Sequence, residues 1–116
     1  MISKETIKDF FENINNNDEF DTSEILLWGY FFLDSDLSRL KKVTEKLVDI
    51  GYNFVDIFEA DKEDKNDIQE YYLHVEKIEH HTVESLHNRN TELYDFADRY
   101  NIENYDVFDV GNIINS

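Results

Sequence analysis

The chain contains no cysteine. Disulfides, thiolate zinc sites and cysteine nucleophiles are therefore excluded, and a reducing compartment suits it. It has only three glycines, and none forms a phosphate-cradling loop or a GxSxG turn. No apolar run approaches the roughly 18 residues of a membrane span. The opening "MISKETIKDFFENINNN" lacks the basic start, apolar middle and small-residue cleavage site of a signal peptide. A cytoplasmic location is the expectation. Basic residues are scarce: 11 Lys and Arg stand against 27 acids, a formal charge of −16. Nucleic acids and anionic membranes both call for a basic face, so neither is an expected ligand. Such a charge keeps a protein in solution, and it also suits a basic protein partner.

What is present begins with "LLWGYFFL", Leu26 to Leu33, uncharged and rich in aromatics. Left exposed, this segment would invite aggregation, being β-prone and apolar with no proline. It reads as a strand with both edges paired. A chain of 116 residues can bury a core around it, and one domain is expected.

Periodicity sets out the remaining elements. Ile7, Phe10, Phe11 and Ile14 make one apolar stripe, predicting a helix over 3–16. After the octapeptide, Asp34 or Ser35 is the expected cap of a helix whose stripe is Leu37, Leu40, Val43, Thr44, Leu47 and Val48. Gly51 stops it. "YNFVDIFEA" and "IQEYYLHVEKIE" read as strands. In the second, Tyr71, Leu73 and Val75 share one face, and Tyr72, His74 and Glu76 share the other. Thr82 caps a last long helix that buries Val83, Leu86, Asn90, Leu93, Phe96, Ala97 and Tyr100. "NYDVFDVG" closes the chain as a strand. Without its first helix this is a βαββαβ order, expected to put two helices on one face of a four-stranded antiparallel sheet. Leu26, Trp28, Tyr30 and Phe32 are expected on the sheet's open side, covered by the first helix or by a partner. Gly29 is expected to make room for the helices. Arg39, Lys41, Lys42 and Lys46 would offset the acidic last helix alongside.

Candidate chemistry is thin. His74, His80, His81 and His87 lie among Glu76, Glu79 and Glu84, but His80 and His81 point apart on regular structure, and no HExxH pair exists. No pair of carboxylates stands out from so many. No metal, no cofactor and no catalytic residue is expected. An aromatic open face on such a sheet resembles a base-stacking platform, but the phosphate backbone would meet acid rather than Lys and Arg.

The stretches "WGYFFLDSDLSRLKKVTEKLVDIGY" and "YYLHVEKIEHHTVESLHNRNTELYDFADRYNIENYDVFDVG" carry a resemblance. The aromatic first strand, the Asp-x-x-Leu helix start, Leu-x-x-x-Gly-Tyr at Leu47 to Tyr52, the Val-Glu strand and Tyr-Asp-x-x-Asp-Val-Gly at Tyr105 to Gly111 together resemble the RraB family of ribonuclease E regulators. The likeness covers about residues 25 to 111. It implies a ferredoxin-like α+β sandwich over 25–111, with residues 1–20 an added amphipathic helix and linker. It also implies a protein that binds ribonuclease E outside its catalytic core and alters RNA decay without being an enzyme. Val107 stands where many members have glycine, which suggests a regular strand there rather than a bulge.

The resulting expectation is a non-catalytic regulator whose acid steers a basic partner. Asp95, Asp98, Asp106 and Asp109 are the expected charged contacts, and Trp28 and Tyr30 the anchors. The chain would act as a monomer, or as a homodimer through the open sheet face. The rival in the same class is an immunity protein that covers the basic surface of a toxin nuclease. From another class, the rival is a metal enzyme using His80, His81 and Glu84.

Overall fold

A computed structural model describes residues 2–17 and 21–113. The elements are α1 (Lys4–Asn17), β1 (Leu26–Asp34), α2 (Leu37–Asp49), β2 (Asn53–Glu59), β3 (Tyr71–Glu79), α3 (Val83–Arg99) and β4 (Asn104–Gly111). Each was expected from the sequence pattern. The strands form one antiparallel sheet in the order β2-β3-β1-β4. The architecture is thus a mixed α/β one, with three helices and a four-stranded antiparallel sheet. The octapeptide lies in β1, hydrogen-bonded to β3 on one side and β4 on the other. Its backbone groups are satisfied internally, which removes the aggregation hazard.

The face expectation is reversed. Leu26, Trp28, Tyr30 and Phe32 do not line the open side; all are buried, in one cluster with Leu40, Val43 and Leu47 of α2 and Leu86, Leu93 and Ala97 of α3. Register explains this. Tyr30 pairs with Val75 and Phe32 with Leu73, so the even side chains of β1 join the apolar face of β3. The first helix joins this side too. Ile7 and Phe11 are buried in the same cluster. The Phe11 ring stacks on Trp28 at 6.0 Å, and Phe10 meets Phe108 edge-on at 4.9 Å. The Ile2 amide donates to the Tyr94 hydroxyl (2.6 Å), and Lys4 pairs with Glu84, tying the start of α1 to α3. The helix therefore packs into the core, and no described helix covers the far face of the sheet.

Local chemistry sets the element ends. Ser3 Oγ accepts from the Thr6 amide at the start of α1. Thr82 caps α3 as expected, and Ser85 completes a capping box with it. Gly51 sits at φ +105°, a backbone conformation that favours glycine. The cap of α2 is Asp36 rather than Asp34 or Ser35: its Oδ1 accepts from the Ser38 and Arg39 amides at 2.9 and 3.3 Å. Asp34 is instead wholly buried, gripped by Arg39 through Nε (3.0 Å) and Nη2 (2.9 Å). It also accepts from the Asp36 and Glu103 amides, which joins the end of β1 to the approach of β4. Burial opposes ionisation of Asp34, but these donors outweigh it and hold the carboxyl below its ordinary range.

The expected charge exchange between α2 and α3 is absent among the described residues. Arg39 pairs with Asp34 and Glu103, while Arg89 of α3 pairs with Glu79 and Glu92. The strand at Val107 is not regular either. Phe31 pairs with Val107 but Phe32 with Tyr105, so Asp106 is an extra residue. Tyr105 and Phe108 are both buried although three apart. Strict alternation would send them to opposite faces, and the bulge is what brings both to the core.

Candidate functional site

The face of the sheet turned away from the helices carries exposed apolar side chains. Cross-strand pairing assigns its members. Asp56 of β2, His74 of β3, Phe31 of β1 and Val107 of β4 form one row; Phe58, Tyr72 and Leu33 form the next; Asn53, Glu76, Gly29 and Asp109 form the row beyond. The sequence pattern had already put Tyr72, His74 and Glu76 on a common face of their strand.

The middle of this face is aromatic. Phe31 and His74 stack in parallel, 4.2 Å between ring centroids at 18°. Tyr72 meets Phe31 edge-on at 6.3 Å, and Phe58 lies 5.5 Å from Tyr72. Phe58 is 40% exposed, Val107 44% and Ile78 51%, too much apolar surface on one face to be incidental. Gly29 serves this face and not the helices: a Cβ there would collide with the Asp109 carboxylate and the His74 imidazole, which lie over it.

The charge on this face has one sign. Its strand positions carry Asp56, Glu76, Asp106 and Asp109, and no Lys or Arg. None of these carboxylates joins an ion pair among the described residues. Asp106 Oδ2 accepts the Tyr72 hydroxyl across β1 at 2.7 Å. That bond, with some burial and the carboxylate's field, pushes the Tyr72 phenol up to about 12. On the helix side, by contrast, cations meet Asp34, Glu79, Glu84, Glu92 and Glu103.

The expected site residues are therefore divided. Asp106 and Asp109 lie on the open face. Asp95 and Asp98 are exposed on α3, away from it. Trp28 and Tyr30 are fully buried and present no surface to a partner. Phe31, Phe58, Tyr72, His74, Asp56 and Glu76 take their place on this face. For Tyr72, His74 and Glu76 the signal was the polar–aromatic alternation of β3, which becomes decisive only once its register with β1 is known.

Of the residues considered as metal ligands, His81 and Glu84 are engaged elsewhere. His81 is buried, its Nε2 donating to Glu79 at 2.7 Å and its Nδ1 lying 3.0 Å from Ser85 Oγ. Glu79 also accepts from the Tyr30 hydroxyl (2.6 Å) and from Arg89 Nη2 (2.7 Å). Burial raises the Glu79 carboxyl, but the His81, Tyr30 and Arg89 bonds outweigh it and hold it at about 2. Glu84 is paired with Lys4. No group of three or more His, Asp or Glu side chains suited to a metal occurs among the described residues. No described helix is long and apolar enough to cross a membrane.

Comparison with curated proteins finds no match. A family model does match: that of the RraB family, regulator of ribonuclease activity B, over residues 4–110. The matched span runs from the start of α1 to the next-to-last residue of β4, nearly the whole chain. With the first helix, the bulge and all but the last residue of the sheet inside that span, the chain belongs to the RraB family, whose members regulate ribonuclease activity.

Proposed function

We propose that this protein is a non-catalytic, cytoplasmic regulator that binds a ribonuclease of the ribonuclease E type and alters RNA decay. The observation that carries this reading is the family match over residues 4–110. After α1 the element order is βαββαβ with strands ordered β2-β3-β1-β4, which supports a ferredoxin-like fold for the regulator.

The mechanism is electrostatic. A chain of charge −16 draws in a basic segment of the enzyme and competes there with RNA, whose phosphates seek the same cations. Asp95 and Asp98 add to the long-range field from α3, while Asp106 and Asp109 make closer contact from β4. Charges on a rim mainly raise the association rate, and salt screens them over about 8 Å at physiological ionic strength.

The test is direct. The purified protein is added to a purified ribonuclease E-type enzyme, and complex formation and cleavage of a labelled RNA are followed at low and high salt. The expected result is a stoichiometric complex whose affinity falls as salt rises, with altered RNA cleavage. Unchanged cleavage together with no complex at micromolar concentrations would overturn the reading.

A further inference from the structure

We propose that the open face of the sheet is the docking surface, and that its occupant is an arginine-bearing basic segment of the protein partner. The proposal rests on the regulator reading for the partner's identity, but its surface and chemistry follow from the geometry alone.

Three observations select the occupant. The face is apolar and aromatic at its centre, with Phe58, Val107 and Ile78 each at least 40% exposed. A surface of this kind loses free energy by staying wet. The surrounding charges are Asp56, Glu76, Asp106 and Asp109, with no cation among the strand positions and, among the described residues, no ion pair to neutralise them. A second copy of the chain would bring four more carboxylates against these, and like charges across an interface cost several kcal/mol. A phosphate backbone meets the same repulsion. A cationic protein segment does not.

Arginine is selected over lysine by shape. Phe31 and His74 are nearly parallel, and Tyr72 and Phe58 extend the aromatic patch across β3 to β2. A guanidinium is planar, weakly hydrated and able to lie on an aromatic face while its N–H groups fork to carboxylates. Asp109, held over Gly29 beside the His74 ring, and Glu76 in the same row offer such acceptors. Lysine supplies the charge but cannot stack.

The experiment uses the full chain, an alternating Arg–Ser peptide and its Lys–Ser counterpart of equal length, with binding measured by calorimetry at fixed salt. Two triple variants remove the same charge from different places. One is Asp56→Asn, Glu76→Gln, Asp109→Asn on the open face; the other is Glu45→Gln, Asp95→Asn, Asp98→Asn on the helices. Phe58→Ser is a third variant, made at an exposed site. Trp28 emission checks that each is folded.

The expected result is that the arginine peptide binds more tightly than the lysine peptide. The open-face triple should weaken it about tenfold or more, and the helix triple about twofold or less. Phe58→Ser should narrow the gap between the two peptides. Equal losses in the two triples, equal affinity for the two peptides, or a wild-type dimer that the open-face triple dissociates would each overturn the proposal. The two readings fail separately. If ribonuclease binds the open-face triple as tightly as wild type, the docking surface is wrong and the regulator stands. If the arginine peptide binds as described but no ribonuclease does, the surface stands and the partner is wrong.

Discussion

Replacing Glu79 by Gln removes one negative charge from a largely enclosed polar group that three residues hydrogen-bond. The side chain is 13% exposed and accepts from Tyr30, His81 and Arg89. Its carboxyl is held at about 2 against an ordinary 4.5. That depression corresponds to about 3 kcal/mol of folding stability at neutral pH. Glutamine has nearly the same shape but only one acceptor oxygen, and its amide group turns two protons toward donors. The Arg89 guanidinium, itself largely enclosed, loses its main counter-ion. The expected loss is about 3 kcal/mol at pH 7, a large share of the 5–15 kcal/mol that holds a typical domain.

The pH dependence makes the prediction specific. A depressed carboxyl contributes its full stability above its unfolded value and loses it as pH falls toward the folded one. The gap between wild type and Glu79→Gln should close progressively as pH falls from 4.5 toward 2. Relief of general charge repulsion affects both proteins alike and cancels in the difference. Urea unfolding can be read through Trp28, the single tryptophan, whose ring meets His81 edge-on at 5.1 Å. A gap that stays the same from pH 7 to pH 2.5, or one below about 1 kcal/mol at pH 7, would refute the reasoning.

Other predictions follow from single contacts. Ile7→Ala should cost about 2–4 kcal/mol in urea unfolding, because α1 belongs to the core; a loss under 0.5 kcal/mol would mean the helix is detached. Gly51→Ala should destabilise by about 1 kcal/mol through its φ of +105°, measured as a lowered Tm. Tyr72 should ionise near pH 12, so stability tied to it is intact below pH 10 and declines as pH rises toward 12. In Asp106→Asn that tyrosine should titrate closer to pH 10 by ultraviolet difference absorbance. An unchanged curve would remove the Tyr72–Asp106 bond.

Much of this was legible in the chain. Element types and spans followed from periodicity, because apolar stripes at helical spacing and alternation in β3 each admit one backbone geometry. The Thr82 cap and the Gly51 stop followed from the chemistry of helix ends, which is local. The α2 cap fell at Asp36, one residue past Ser35 and two past Asp34, because Asp34 and Asp36 are equally fit to cap. Only the approach of Arg39 and of the Glu103 amide decides which one is buried instead.

By itself, then, the sequence determined the elements, the pairing of the octapeptide as an inner strand, and the strong acidic excess of the chain. Tertiary structure alone decided which side of that strand is inside. Leu27 to Leu33 are apolar on both faces, so the strand carries no preference, and its register against Leu73 and Val75 makes the choice. That choice buries Trp28 and Tyr30 and leaves Phe31, Tyr72 and His74 facing outward with carboxylates around them. The bulge at Asp106 has the same origin: Tyr105 and Phe108 both reach the core only if one residue between them is left unpaired.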